Sequence, residues 1–379
     1  FAVFYTVLGI PIARIAEHKN RPIIIATSVA VWSGFTVLCG FAQNFWHLIL
    51  ARIGVGVGEA GCTPAAHSLI SDYVPKEKRA SAIAFYSIGT PLGTLVGMAM
   101  GGLVADAYGW RVAFMVAGAP GVLFALVAAF TLIEPRRQLA ADIAARAASQ
   151  ISFGAALAVL ATKKTFWLVA LAAAVKAFIG YGQAPFVASY FFRNHAAELA
   201  SLASVFGLKS AGFLGLALGL MGGSAGVVGA WLGGVLADRL GAKDLRAYVI
   251  VPAIASLAGI PLYILAVCMP TALPALMILT LPTLLGTLWY GPVYATAQSI
   301  VEPAMRATSA AVLLLIINLI GLGFGPLLVG AISDIFAGPL GMGAAKGVQW
   351  ALIISSLMGL ISFGLFWQAR KTIREDMVA

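Results

Sequence analysis

The chain has 379 residues, of which 61% are hydrophobic and only 10% charged, with a mean hydropathy of +0.97, a balance that cannot cover one soluble core with a water-facing surface. Glycine (42) and proline (17) are abundant while the polar residues that disorder needs are scarce, which points to closely packed, locally broken membrane helices. The formal charge of +10 sits in short loops between apolar runs, so it argues against a nucleic-acid surface.

In chain order, apolar runs near the roughly 20 residues that cross a bilayer at about 1.5 Å each fall at 22–43, 46–74, 80–105, 112–133, 165–192, 211–237, 247–268, 272–301, 307–333 and 348–369. Residues 1–13 form a shorter eleventh, with no basic leader ahead of them. A polar connector from Glu134 to Lys164 contains AADIAARAASQ, suited to an amphipathic interfacial helix. The expected organisation is a first bundle at 1–133, a linker at 134–164, a second bundle at 165–369 and a tail at 370–379. Cys39, Cys62 and Cys268 lie in or at the ends of apolar runs without metal-ligand spacing, and read as small core residues.

The two bundles repeat each other. Pro64 to Pro75 (PAAHSLISDYVP) aligns with Pro292 to Pro303 (PVYATAQSIVEP), each followed within four residues by an arginine, Arg79 or Arg306. Gly102-x-x-x-Asp106 echoes Gly330-x-x-x-Asp334, and AEHKNR (16–21) echoes ADRLGAK (237–243). Two spans precede the second of these loops after the connector and one short run precedes the first. Register therefore calls for a helix ahead of residue 1 and a six-plus-six, pseudo-symmetric all-α membrane architecture, with about eleven spans in this chain. The loop and tail cations, from Arg14 and Lys19 to Arg370 and Arg374, fall on one side, and only Arg111, Arg193, Lys209 and Lys346 on the other. The first side, with the linker and the C-terminus, is expected to be cytoplasmic, and a bacterial inner membrane is the expected location.

These features resemble the major facilitator superfamily. The loop signature G-x-x-x-D-R-x-G-x-K stands here as Gly234-Val-Leu-Ala-Asp238-Arg239-Leu-Gly241-Ala-Lys243. The first-half copy is degenerate, with Ala13, Glu17, His18 and Asn20 at the signature positions. Arg52-Ile-Gly-Val-Gly-Val-Gly-Glu59-Ala-Gly-Cys-Thr-Pro64, then Ile70-Ser-Asp72-Tyr73-Val-Pro75, Arg79-Ala and Gly109-Trp-Arg111, look like the spinster group of lipid and organic-solute transporters. The resemblance implies a non-enzymatic, monomeric carrier without a cofactor or metal, moving a small-molecule or lipid substrate among membrane lipids, linked to protons or facilitative. Lysolipids and sphingoid phosphates are the implied substrates. A drug/proton antiporter, a sugar or organic-anion carrier, a scramblase and a non-transporting sensor are the competing readings.

Charges inside a membrane helix are costly and normally face a cavity or a partner. Arg52 and Glu59 are seven residues apart, so they share one helix face about 10 Å apart, and Glu59 is the expected proton carrier with Arg52 as its counter-charge. Both also count as expected substrate contacts. Lys176, on a span interrupted by Gly180, Gly182 and Pro185, is placed with Tyr181 and Gln183 to bind an anionic head group, against the alternative of a snorkelling lysine. Trp289, Tyr290 and Tyr294 are candidates for an amphipathic wall, against ordinary core packing. By the resemblance, Glu17 and Asp238, with Arg79, Arg239 and Arg306, form gates at the cytoplasmic helix starts, where helix dipoles favour a carboxylate. Gly54, Gly56 and Gly58 lie inside an apolar span with no preceding strand and serve helix packing, not a nucleotide. His67 and Asp72 read as local hydrogen-bond partners.

Overall fold

A computed structural model describes residues 20–74, 89–135, 153–302 and 305–377, together with Leu8, Ile12 and Tyr86, and among these the regular structure is entirely helical. Two compact units emerge, one of Phe1–Ser149 with Gly207–Gly219 and one of Gln150–Phe206 with Leu220–Ala379. The AADIAARAASQ segment and nearly all of residues 1–13 lie outside the described residues, as does any helix ahead of residue 1.

The first unit contains α1 (Arg21–Gly40), α2 (Phe45–Glu59), α3 (Cys62–Tyr73), α4 (Gly89–Tyr108) and α5 (Trp110–Thr131). Helix α1 starts where Asn20 accepts from the Ile23 amide at 3.3 Å, with Pro22 in its first turn, where no intrahelical donor is required. Between α4 and α5 the chain turns on Gly109 alone, whose φ of +84° suits glycine. The Gly-Trp-Arg motif thus opens α5, with the Arg111 guanidinium 4.3 Å from the centroid of the Trp110 ring. Helix α5 lies on α1 by way of small residues. A Cβ on Gly118 would stand 2.6 Å from the Ser33 carbonyl oxygen, so the two backbones touch where lipid-like side chains supply no hydrophobic drive.

The second unit runs through α6 (Phe153–Thr162), α7 (Lys164–Asn194) and α8 (Ala196–Val205). After α9 (Ser210–Ala217), which belongs to the first unit, and a π-helical turn at Leu218–Gly222, it resumes with α10 (Gly223–Gly241), α11 (Ala247–Val267), α12 (Ala272–Thr287) and α13 (Tyr290–Ser299). It ends with α14 (Arg306–Asn318), a π-helical turn at Leu319–Phe324, α15 (Gly325–Ala337), α16 (Gly343–Leu357), α17 (Gly359–Ala369) and α18 (Ile373–Asp376). Its core gathers on α7, with Phe166, Val169, Ala173, Trp289, Val293, Leu313 and Phe366 all buried. Gly321 and Gly325 bring the π-turn and α15 against the Ala177–Gly182 stretch of α7.

Among the described residues, eight helical stretches are long and apolar enough to cross a bilayer. Several expected runs differ in detail. The run expected at 46–74 is broken into α2 and α3, and that at 272–301 into α12 and α13. The two breaks are equivalent: α2 ends at Glu59 and α12 at Thr287, and α3 opens at Cys62 and α13 at Tyr290. The aligned prolines explain both. Pro64 and Pro292 offer no N–H to the carbonyls of Ala60 and Leu288 four residues earlier, and a proline ring clashes with that carbonyl. The run expected at 80–105 is described only from Gly89, the last span begins at Gly343 instead of 348, and the expected linker also holds an apolar helix, α6, after the AADIAARAASQ segment. Helix α8 lies where a loop was expected.

Candidate functional site

Helix α2 is turned by its glycines. A Cβ on Gly54 would sit 2.4 Å from the Phe35 ring and one on Gly58 2.5 Å from the Trp32 amide nitrogen, so this face lies against α1. Arg52 and Glu59, at about 20° from each other around the helix, fall on the opposite face. Arg52 is exposed and Glu59 half-buried, and the Arg52 charge acts on the Glu59 carboxyl. Glu59 is the last residue of α2, at the break, beside Cys62, which is hydrogen-bonded to Tyr86 and feels the Glu59 charge. The structure thus brings the two expected coupling residues together on one face at an interrupted helix.

In the second unit Lys176 lies midway along α7, half-buried, and no acceptor among the described residues is within hydrogen-bond distance of it. Tyr181 and Tyr294 are each near enough to act on Tyr290, with Tyr181 and Tyr290 exposed. Two expectations are revised here. Gln183 is 6% exposed and its amide donates to the Leu352 carbonyl at 3.3 Å and the Ser355 hydroxyl at 3.1 Å, so it ties α7 to α16. Trp289 is 3% exposed and belongs to the core, stacked on Tyr290 with centroids 4.2 Å apart.

The expected gating residues are only partly visible. Glu17 and Arg79 lie outside the described residues, and Arg306 is described only as the first residue of α14. Asp238 and Arg239 are exposed at the end of α10, and Asp238 accepts from the Tyr248 hydroxyl at 2.8 Å within the same unit. Beyond them Asp244 accepts from the Arg246 amide at 2.9 Å and pairs with Arg374 at 2.9 Å. The backbone bond first, then the Arg374 pairing, holds this carboxyl below the usual carboxylate range.

The first unit carries a charge cluster that the sequence reading missed. Arg21 is fully buried. It pairs through Nη2 with Glu134, donates from Nη1 to Asp72 at 2.7 Å and Ser68 at 3.0 Å, and its amide donates to Glu134 at 2.9 Å. Tyr73 adds a second tie, its hydroxyl donating to the Ile133 carbonyl at 2.6 Å and accepting from the Ile133 amide at 2.9 Å. The start of α1, the end of α3 and the segment after α5 are thereby joined. The available signal was that Arg21, Asp72 and Glu134 each stand at an apolar run's end on the expected cytoplasmic side.

Helical units with internally repeated, broken apolar spans define a multi-pass membrane protein. Residues 1–326 match the family model of the Major Facilitator Superfamily, and the chain belongs to that superfamily. It is 30% identical over 378 residues to an "MFS-type efflux pump" of Mycolicibacterium smegmatis, covering 100% of this chain and 83% of that protein. It is 26% identical over 391 residues to "Protein spinster homolog 1" of Xenopus laevis, covering 99% of this chain and 73% of the relative. Among solved structures, a bacterial homolog to the human lysosomal transporter Spinster, in an inward-facing and unoccupied conformation, superposes with a TM-score of 0.85 at 30% identity, covering 100% of this chain and 88% of that one. The chain is therefore spinster-like, and its family is one of transporters, not enzymes.

Proposed function

We propose that this chain is a secondary active transporter working by alternating access, in which Glu59 carries the coupling proton and Arg52 is its counter-charge. Its solute on this reading is an amphipathic organic anion such as a lysolipid or sphingoid phosphate. The observation that carries the reading is Glu59 itself, a carboxyl at the interruption of a membrane helix, on the face turned from α1 and in the field of Arg52. A carboxyl so placed takes up a proton when opened to an acidic compartment and yields it when the guanidinium draws near. Lys176 supplies a cation for a head group, and Tyr181, Tyr290 and Tyr294 an amphipathic surface for a ring or chain. Asp238, Arg239 and Arg306, with Glu17 and Arg79, act as the cytoplasmic latch of a monomer whose linker and C-terminus face the cytoplasm of a bacterial inner membrane.

Reconstituted protein tests the coupling. Glu59→Gln is expected to abolish uptake driven by a proton gradient while the fold and its thermal stability persist, and unaltered coupling in that variant would eliminate the assignment. The 30% identity to an efflux pump favours a second reading, lipophilic drug extrusion by proton antiport. Thermal stabilisation of the purified protein separates the two, because a ligand that binds the folded state raises the midpoint by an amount that grows with the logarithm of its concentration over its dissociation constant. Lysophospholipids raise it on the first reading and lipophilic cations on the second.

A further inference from the structure

At the far end of α7 from the linker, His195 closes that helix and precedes α8. It is 7% exposed, packed against the rings of Tyr190 and Phe191, with centroids at 5.5 and 5.8 Å. The Tyr190 hydroxyl has one proton and donates it to the Val267 carbonyl at 2.7 Å. Its 3.1 Å contact with His195 Nε2 therefore requires the imidazole to donate. The neutral ring carries its proton on Nε2 and leaves Nδ1 bare. That atom lies 3.9 Å from Oε2 of Glu198, a residue whose side chain is one-third exposed. The same Oε2 accepts from the Ala272 amide at 2.6 Å, at the start of α12. The Val267 carbonyl also accepts from Gln349 of α16 at 2.7 Å. One histidine thus stands where α7, α8, α11, α12 and α16 are joined.

The surrounding charges are few. Helix α7 presents Tyr190 and the exposed Arg193, which donates to the Ala344 carbonyl. Helix α8 presents Glu198. Helix α11 presents Tyr263, and the Cys268 thiol follows its end. Helix α12 presents an amide and no ionisable side chain in its first turns, and the one charged residue of α16 is Lys346. Burial in this apolar, aromatic setting holds the imidazole below the usual histidine range, with Glu198 opposing. A depressed folded-state value means that the corner is fully stable above the ordinary histidine range, near pH 6.5, and loses stability as pH falls through the folded value.

We propose that His195 and Glu198 form a pH-sensing hinge, in which a proton entering along Glu198 to His195 Nδ1 opens the corner joining α7, α8, α11 and α12, and its release closes the corner. The opening does not depend on the proposed function. That the hinge reads the pH outside the cell rests on the proposed cytoplasmic placement of the linker.

Hydrogen exchange on the full chain in lipid nanodiscs, corrected for intrinsic rates and compared at about pH 7.5 and about pH 5.5, tests the hinge. In the wild type, exchange in segments 190–206 and 266–276 is expected to rise several-fold on acidification, with α1 and α5 unchanged. His195→Gln keeps a donor for Tyr190 but cannot titrate, and its exchange should be independent of pH. Glu198→Gln should move the wild-type midpoint to lower pH. An equal rise in His195→Gln, no rise in the wild type, or an unmoved midpoint in Glu198→Gln would overturn the proposal. If the variants do not fold, the wild-type ¹⁵N spectrum of His195 decides, since a neutral ring protonated on Nδ1 contradicts the geometry. Glu59→Gln should leave all of these signals intact, so failure here is distinguishable from failure of the coupling assignment.

Discussion

A guanidinium removed from water loses several kcal/mol of solvation, and only good geometry with its counter-ions offsets that loss. Arg21 meets two carboxylates on separate segments and a hydroxyl beside one of them, so its removal takes one shared guanidinium from both Asp72 and Glu134. Arg21→Met is expected to cost about 3–5 kcal/mol, read as a lowered unfolding midpoint in detergent. Arg21→Lys should recover part of this, because an ammonium lacks the fork that serves two acids. The Asp244–Arg374 pair is half open to solvent, at 42% and 52% exposure, where water and salt screen the attraction. Asp244→Asn should therefore lower the midpoint only slightly at neutral pH, and that small difference from the wild type should vanish as pH falls below the ordinary carboxylate range, where the wild-type carboxyl is itself protonated. At this scale the sequence was uneven. Arg52 and Glu59 were legible because a seven-residue spacing is local. The partners of Arg21 lie 51 and 113 residues away, and nothing local marks them.

Among elements, hydropathy made the spans legible and left their interruptions to backbone chemistry. The prolines that aligned the halves also carried the information for the breaks at 60–61 and 288–289, whereas the π-turns at 218–222 and 319–324 sit in glycine-rich apolar sequence that a continuous helix also fits. Helix α8 was missed because its ten residues are too short to read as a span. Pro292→Ala restores a donor to the Leu288 carbonyl and should raise thermal stability while slowing transport, since a healed helix resists the local rearrangement that a broken one allows. Close approach gives the opposite sign. Gly118→Ala drives a methyl into the Ser33 carbonyl and the Val37 backbone, and should destabilise by about 1–3 kcal/mol. Gly259→Ala in α11 meets nothing within 4 Å and should be neutral or stabilising by up to about 1 kcal/mol. Scanning fluorimetry of the three variants side by side checks the ordering.

For the whole molecule, chain order and compactness disagree at one place. The linker was read as the boundary between bundles, yet residues 207–219, well inside the second, belong to the first compact unit. The reason lies in glycine. Gly215 would place a Cβ 2.7 Å from the Met98 carbonyl, and Gly219 would place one 2.9 Å from that of Leu95, so α9 and the turn after it lie backbone to backbone on α4. Asp106 fixes the end of this contact by accepting from the Lys209 amide at 2.7 Å, while the Lys209 ammonium donates to the Asp106 carbonyl at 2.7 Å. The Gly102–Asp106 echo was legible as a repeat, but its partner was not, because shape complementarity between distant glycines leaves no periodic trace. A chain cut between Ser149 and Gln150 and expressed as two fragments should therefore reassemble, with the second fragment supplying 207–219 to the first. Affinity purification of one fragment is expected to retain the other. Gly215→Leu forces α9 off α4 and should reduce that recovery several-fold, while Gly259→Leu, on a face with nothing nearby, should not. Equal recovery with Gly215→Leu would mean that these glycines do not hold the fragments together.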